Sequence, residues 1–508
     1  MKINNKYLHI AIIVIGIIFI SLGAFHTNLW FDESYSVGMA NHSFEEIWTI
    51  GSHDVHPVLY YWILRIAGTL TGGGILTYRL VSIIPLAILG ILGFTHIKKD
   101  FGEKVGMIFS FLVFFLPINV VYATEIRMYT WAMLFVTVMG LYAYRILKNG
   151  DIKNWSIFAI FSLMSAYTHY YGLMAAGIIN AVLFIYFIVK LIKSKENKKE
   201  YVHNLIKFSI QAIVQIILYI PWLFAFLEQF NSVSNGFWIN VNIGTLLEIF
   251  EFQFTGIIQG SENIELILSS VAFGAILLIY IITLARKYKK ENGKYDIKPA
   301  LMAIGVYIAI IVAAGIISIV KAPILYARYM LNVTGLFMFF MAYIMSKEKN
   351  QYRTVAICAL IVIVSVFMNF DRIVENYDPS NIEVDKFISE KIKEDDIIIY
   401  GNNQGGFGSG FVISVKYRDN KQYFYNKEKW NVEEAYKAYG PNMQTVESLD
   451  CLKDYTGRIW IVEANSFVML EEEFPNAGYE DIEVLEKRQF DTSYNSYQYA
   501  IALVQKNS

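Results

Sequence analysis

Long apolar runs recur along the first 370 residues of the chain, and they constrain its fold more than any other feature. A bilayer's hydrocarbon core is about 30 Å thick, so a helix of about 20 apolar residues crosses it. The chain is 55% hydrophobic and only 17% charged, which is far from the balance of a soluble domain. The runs that qualify are residues 7–25, 78–97, 105–121, 128–147, 155–169, 172–192, 205–226, 264–285, 299–320, 326–345 and 354–370. The sequence therefore predicts an α-helical polytopic membrane protein with about eleven spans.

Lysine and arginine are distributed unevenly between the segments that connect these runs. If the N-terminus is cytoplasmic, the inner segments hold 23 Lys and Arg, and the outer segments before residue 371 hold five. The outer five are Arg65, Arg79, Arg127, Lys321 and Arg328. Because cytoplasmic loops are enriched in these residues, we predict a multi-pass protein of the cell membrane with a cytoplasmic N-terminus. Eleven spans then place the C-terminal tail outside.

Two domains follow from this pattern. Residues 1–370 form the predicted transmembrane domain, and its outer loop, residues 26–77, carries segments that we interpret as surface helices. Ser43 precedes Glu46 by three residues, the spacing of a helix capping box. Residues 371–508 are predicted to form an extracytoplasmic α/β domain. Its predicted strands are DIIIYG, QYFYN, RIWIVEA and YQYAIALVQ, and its clearest predicted helix is IEVDKFISEKIK.

Charge and local motifs argue against several classes of function. The net charge of −1 offers no basic face for a phosphate backbone, so no nucleic-acid partner is expected. The two cysteines, Cys358 and Cys451, suggest neither a disulfide nor a metal–thiolate site. The segment GNNQGGFGSG, residues 401–410, lacks the spacing of known phosphate-binding loops, so a flexible glycine-rich loop is favoured.

Polar residues collect at the predicted outer ends of the spans and in the outer loops. Any one of them could extend into the lipid headgroups at little cost. Two adjacent carboxylates, Asp32 and Glu33, are harder to explain in this way, because like charges repel and gain nothing from anionic lipid. We predict one outer pocket that gathers the set Asp32, Glu33, His53, Asp54, His56, Glu125, Arg127, His169, Lys321 and Arg328.

Five short motifs, in this order along the chain, resemble those of GT-C fold glycosyltransferases. They are FDESYS, SHDVHPVLYYWILR, YATEIRMYTW, AYTHYYGL and LYARYMLNV. The resemblance covers residues 7–345 and is greatest to the branch of protein O-mannosyltransferases and aminoarabinose transferases. It implies a catalytic base in the acidic motif after the first span, a sugar donor on polyprenyl phosphate, and transfer on the outer face of the membrane. Two positions depart from the family pattern: Val58 follows Pro57 where the family often has a second proline, and Glu125 stands where several relatives have Asp.

The expected reaction requires a base and a cationic clamp. Asp32 is the predicted base, because a positioned carboxylate can take the acceptor's hydroxyl proton during attack on the anomeric carbon. Glu33 is predicted to orient the acceptor or support the loop, and Glu125 is a further candidate catalytic carboxylate. Cations must hold the departing phosphate, and the planar fork of arginine suits it. The candidates are Arg328 first, then Arg127 and Lys321.

The remaining polar candidates have a structural and a functional interpretation. His53, Asp54 and His56 could ligate a divalent metal, orient the donor phosphate or cap a helix; we expect no required cofactor. His169 and Tyr170 could belong to an aromatic belt at the membrane interface or line the acceptor groove. The predicted substrate-binding set is Arg328, Arg127, Lys321, His53, Asp54, His56, His169, Tyr170 and Tyr329.

We therefore expect an integral membrane glycosyltransferase that transfers a sugar, with inversion, to a hydroxyl of an envelope glycan, lipid or protein. A transporter or flippase of lipid-linked saccharide is the alternative from another class. It should carry ionisable residues near the bilayer midplane, where these runs have almost none. A polysaccharide ligase is a third interpretation, which differs in the size of the donor.

The predicted topology can be tested with reporter fusions. A reporter that is active only outside the cytoplasm should be active when fused after residue 371, and inactive when fused within the basic segment near residue 290. Activity of a cytoplasm-specific reporter after residue 371 would contradict the topology and the outer location of every candidate residue.

Overall fold

The computed structural model describes residues 5–194, 196–234, 239–257, 264–290, 296–401, 407–426, 433–479 and 482–507. The α-helices of the first half are α1 (Asn5–Ser21), α2 (Phe31–Met39), α3 (Phe44–Ser52), α4 (Leu59–Thr71), α5 (Ile75–Leu92), α6 (Lys98–Phe101), α7 (Glu103–Phe115), α8 (Pro117–Tyr122), α9 (Tyr129–Lys148), α10 (Ile152–Thr168), α11 (Tyr170–Lys193), α12 (Lys198–Ser234) and α13 (Gly244–Thr255). They continue with α14 (Ile264–Lys290), α15 (Lys298–Val320), α16 (Thr334–Ser346), α17 (Gln351–Asn376), α18 (Ser380–Ser389), α19 (Phe407–Ser414), α20 (Glu433–Tyr436) and α21 (Phe474–Asn476). The strands are β1 (Ile397–Tyr400), β2 (Lys421–Tyr425), β3 (Met443–Val446), β4 (Gly457–Glu463), β5 (Glu483–Asp491) and β6 (Gln498–Lys506).

The chain divides into two compact units. The first comprises Met1–Leu22, Val55–Tyr60 and Arg79–Asn369, and the second comprises Gly23–Asp54, Tyr61–Tyr78 and Phe370–Ser508. The predicted membrane domain includes the outer loop, residues 26–77. Most of this loop lies in the second unit, together with the tail.

Membrane-spanning helices dominate the first unit. Among the described residues, eight helices are long and apolar enough to cross a bilayer, which confirms a polytopic helical protein; the count of eleven stays a prediction. They are Asn5–Ala24, Ile75–Phe101, Tyr129–Lys148, Tyr170–Lys193, Lys198–Ser234, Lys298–Val320, Ala327–Ser346 and Gln351–Ser389. The other three predicted runs lie in α7, α10 and α14. Helix α7 stops after 13 residues because Leu116 is extended before Pro117, and α10 has only 17 residues.

Glycines allow the central helices of this unit to approach closely. A methyl group on Gly335 of α16 would stand 1.8 Å from the Thr137 hydroxyl oxygen of α9. Methyl groups on Gly16 of α1 and Gly90 of α5 would both lie 2.3 Å from the Phe114 ring of α7. Small residues at helix contacts are a common solution in membranes, where close backbone packing replaces the hydrophobic effect.

A six-stranded sheet forms the core of the second unit, in the order β3-β2-β1-β4-β6-β5. Strands β1 to β4 pair in parallel, and β6 is antiparallel to both β4 and β5. All four residues of β1 are buried, as expected for the centre of a parallel sheet covered on both faces. The predicted α/β domain is confirmed, together with the four predicted strands and the helix at α18.

Strands β3 and β5 were not predicted from the sequence. Strand β5 lies at the edge of the sheet, and eight of its nine residues are exposed. Its sequence, EVLEKRQFD, is mostly charged, as is common at edges that must not pair with other chains. The apolar alternation that reveals inner strands is therefore missing.

Half of the glycine-rich segment, residues 402–406, lies outside the described residues.

The start of the outer loop folds against the tail within the second unit. The predicted capping box of α3 is confirmed: the Ser43 hydroxyl accepts the Glu46 N–H at 3.2 Å, and the Glu46 carboxylate accepts the Ser43 N–H at 2.8 Å. Gly38 of α2 lies directly against the carbonyl of Ala438, where a methyl group would be 2.1 Å from the oxygen. Phe31 stacks on Tyr439 with 5.7 Å between ring centroids. Helix α2 is thus packed on the tail.

Glu463, the last residue of β4, is a carboxylic acid buried in the tail. Its side chain is 2% exposed. Both of its oxygens accept the Met469 N–H, one at 3.0 Å and the other at 3.1 Å. Burial raises the pKa of Glu463 to about 8; the Met469 N–H acts in the opposite direction, and the nearby Glu471 and Glu473 add to the rise. The group is therefore mostly protonated at neutral pH.

This shift predicts a pH-dependent stability. The unfolded chain releases the Glu463 proton near pH 4.5 and the folded chain near pH 8, so the free energy of unfolding should fall as the pH rises between these values. The slope from one group is at most about 1.4 kcal/mol per pH unit. Thermal unfolding of the detergent-solubilised protein at pH 5, 7 and 9 should show a smaller loss in Glu463→Gln than in wild type or in the control Glu472→Gln, which changes an exposed carboxylate nearby. Equal losses in all three would contradict the assignment.

Candidate active site

The adjacent carboxylates Asp32 and Glu33 lie in the first turn of α2. Glu33 is 1% exposed, and its Oε2 accepts the Tyr494 hydroxyl at 3.1 Å and the Trp30 N–H at 3.4 Å. Asp32 is only half-buried. A helix N-terminus stabilises negative charge, so both side chains sit where a carboxylate is favoured, but their surroundings differ.

The candidates that follow α3 have a different arrangement. His53 is exposed and caps the C-terminus of α3, with Nδ1 2.9 Å from the Thr49 carbonyl oxygen. Asp54 donates its N–H to Gly51 at 3.2 Å. Among the described residues, no three His, Cys, Asp or Glu side chains gather closely enough to hold a metal ion. The metal interpretation of His53, Asp54 and His56 therefore gains no support, and the expectation that no cofactor is required stays a prediction.

His169 is the centre of a polar cluster in the first unit. It separates α10 from α11 and adopts extended backbone, so that its Nδ1 accepts the Tyr171 N–H at 3.0 Å and caps α11. Its side chain is 3% exposed. Four rings surround it, with centroids 5.0 to 5.8 Å away. They belong to His56, Tyr129, Tyr171 and Tyr329.

The cap fixes the chemistry of this imidazole. Because Nδ1 accepts a hydrogen bond, the proton of the neutral ring is on Nε2. Within the described part of the chain, the buried Nε2 has no hydrogen-bond partner. An unmatched buried donor is costly.

A cavity of about 260 Å³ opens beside His169. Most of its wall is apolar, and its polar side chains lie on a few residues. Helix α12 contributes Gln229, whose amide oxygen accepts the Tyr170 hydroxyl, and Trp222 donates to that hydroxyl at 3.2 Å. A mostly apolar cavity with a few placed polar groups is typical of ligand sites. The full lining is Val55, His56, His169, Tyr170, Tyr171, Leu173, Met174, Phe226, Gln229, Phe230, Val233, Ile317, Ile324 and Tyr329.

Two charged candidates of the first unit interact with Tyr122, at the end of α8. Both Arg328 and Glu125 are half-buried and act electrostatically on the Tyr122 hydroxyl. Arg127 is 4% exposed and acts on His169 in the same way. In contrast, Lys321 is exposed at the end of α15 and is not part of the cavity lining.

Several functional contacts were not identified in the sequence analysis. Arg79 is 1% exposed and donates to the Thr124 carbonyl at 2.8 Å, which fixes the connection that carries Glu125 and Arg127. It is one of the five Lys and Arg residues in the predicted outer segments before residue 371. This rarity could have marked it as a candidate site residue. The contact of Tyr494 with Glu33 joins positions 461 residues apart, so no local sequence pattern predicts it.

Two solved structures are similar to the whole chain. ArnT from Cupriavidus metallidurans in the apo state has a TM-score of 0.59 at 12% sequence identity, covering 98% of this chain and 97% of that chain. The same protein bound to undecaprenyl phosphate gives a TM-score of 0.57 at 11% identity with the same coverage. No protein-family model matches the chain, and no curated protein matches it. At this identity the likeness shows the fold, and the predicted GT-C fold is confirmed.

Proposed function

We propose that this chain, with its ArnT-like GT-C fold, is a membrane glycosyltransferase that takes a sugar from polyprenyl phosphate. It transfers the sugar to a hydroxyl of an envelope glycan, lipid or protein at the outer face of the cell membrane. The observation that carries the proposal is the contrast within the carboxylate pair at the start of α2. Glu33 is buried and bonded to Trp30 and Tyr494, whereas Asp32 is half-buried.

This contrast supports different roles for the two carboxylates. In the proposed reaction the acceptor's oxygen bonds to the anomeric carbon, and its proton passes to Asp32. The bond from that carbon to the phosphate oxygen breaks, and the phosphate leaves with the electron pair. The configuration of the sugar carbon is inverted. A phosphate leaves as a stable anion, so no strong general acid is needed. Glu33 orients Asp32 and the acceptor.

The first unit offers groups that suit a lipid-phosphate donor. The apolar wall of its cavity is compatible with isoprene units, and His169 forms part of the lining. Arg328 and Arg127 are proposed to stabilise the departing phosphate, because guanidinium binds it through paired hydrogen bonds. The ArnT structure with undecaprenyl phosphate supports this class of carrier. We keep Glu125 as the alternative carboxylate base.

The proposal predicts unequal effects at Asp32 and Glu33. Asp32→Asn keeps the size of the side chain but cannot accept the proton, so turnover should fall about 100-fold or more. Glu33→Gln should have a smaller effect, because an amide can still accept hydrogen bonds from Trp30 and Tyr494. The measurement is release of undecaprenyl phosphate from synthetic undecaprenyl-phosphate hexoses and pentoses, with envelope extract of a deletion strain as the acceptor source.

The variants are compared at equal abundance in the membrane, and Glu125→Gln is measured beside them. Wild-type turnover in Asp32→Asn together with complete loss in Glu33→Gln or Glu125→Gln would move the base to the residue that fails. Full turnover in all three variants would contradict catalysis by a carboxylate base.

A further inference from the structure

The turn between β5 and β6 reaches the start of α2 with two tyrosine hydroxyls. The Tyr497 hydroxyl oxygen accepts the Phe31 N–H at 3.0 Å. The Tyr494 hydroxyl donates to the Glu33 carboxylate at 3.1 Å. Phe31 and Glu33 are the two neighbours of Asp32 in the chain. The two bonds therefore hold the residues on either side of the proposed base, one by its backbone and one by its side chain.

This turn holds an unfavourable backbone conformation. Asn495 has φ 52° and Ser496 has φ 48°, in the left-handed region that is unfavourable for a non-glycine residue. Bonds to neighbouring elements hold the turn: Tyr494 donates its N–H to the Asn381 amide oxygen at 2.8 Å, and Asn495 donates its N–H to the Glu375 carboxylate at 2.9 Å. Backbone strain that the surroundings maintain often marks a positioning role.

The segment before α2 is bound to the same part of the second unit. The Asn28 side chain donates to the Asn376 carbonyl at 2.8 Å, and the Phe25 N–H donates to the Tyr377 hydroxyl at 3.1 Å. The segment before α2 is thus held at the end of α17, and the first turn of α2 is held at the β5–β6 turn. Burial raises the pKa of Tyr497 to about 12, so its hydroxyl keeps its proton over the range in which a carboxylate base works.

We infer that Tyr494 and Tyr497 are positioning residues through which the tail domain sets the position of Asp32. Tyr494 holds the Glu33 side chain and Tyr497 holds the Phe31 amide, so the backbone from which the Asp32 carboxylate extends is held on both sides. The inference rests on the proposed function and assigns the tail a part in the reaction. A misplacement of about 1 Å at a reacting group can cost about 100-fold in rate, so loss of either bond should be measurable.

Tyr494→Phe and Tyr497→Phe remove one hydroxyl each and keep the rings. Tyr479→Phe is the matched control, because the Tyr479 hydroxyl donates to the Leu449 carbonyl at 3.1 Å in the same domain. In the undecaprenyl-phosphate release assay, each test variant should lose about 10-fold in kcat, with donor KM within about twofold of wild type. Melting temperatures should match that of Tyr479→Phe, and the control should keep wild-type kcat.

A double-mutant comparison separates positioning from general stability. If the tyrosines act through Asp32, adding Tyr494→Phe to Asp32→Asn should cause no further loss of kcat. Wild-type kcat in both tyrosine variants, or a full additional loss in the Asp32→Asn background, would overturn the inference. Should Tyr497→Phe fail to accumulate, Tyr494→Phe alone decides. If Asp32→Asn itself keeps wild-type turnover, the proposed function fails at its base, which is a distinct result.

Discussion

The burial of the Glu33 carboxylate is the constraint on which the candidate site of the second unit depends. A buried charge without partners costs several kcal/mol, and here Trp30 and Tyr494 supply the donors. These donors come from the start of α2 and from the β5–β6 turn. The first turn of α2 is therefore bonded to the tail, and the beginning of the outer loop belongs to the same compact unit as residues from Phe370 onward.

A second local constraint organises the first unit. The cap that His169 provides to α11 fixes the tautomer of its neutral ring. The same residue therefore ends one helix, begins the next and lines the cavity. A mostly apolar cavity with a few polar side chains suits a ligand that combines a hydrocarbon chain with oxygen-rich groups, as the proposed lipid-linked donor does.

Much of this architecture could be predicted from local sequence patterns. Apolar runs gave the membrane helices, the Ser43 and Glu46 spacing gave the start of α3, and alternating or continuous apolar residues gave β1, β2, β4 and β6. The motif AYTHYYGL drew attention to His169, although not to its role as a cap.

The remaining features depend on properties that no local pattern carries. The run at 105–121 breaks where Leu116 is extended before Pro117, and strand β5 has a surface composition. Contacts such as Tyr494 to Glu33 depend on the tertiary fold. Lys321 was predicted from charge and side alone; it is exposed at the end of α15, and its role in holding the phosphate stays a prediction.

The most direct measurement of the central claim is the lipid fraction of cells that lack this chain. A transferase that uses a lipid-phosphate donor should leave its substrate behind, so extracts should accumulate polyprenyl phosphate that bears one monosaccharide. Mass spectrometry should detect this species, and wild-type protein but not Asp32→Asn should remove it. Accumulation of a polyprenyl-diphosphate oligosaccharide, or no change in the lipid fraction, would contradict the account.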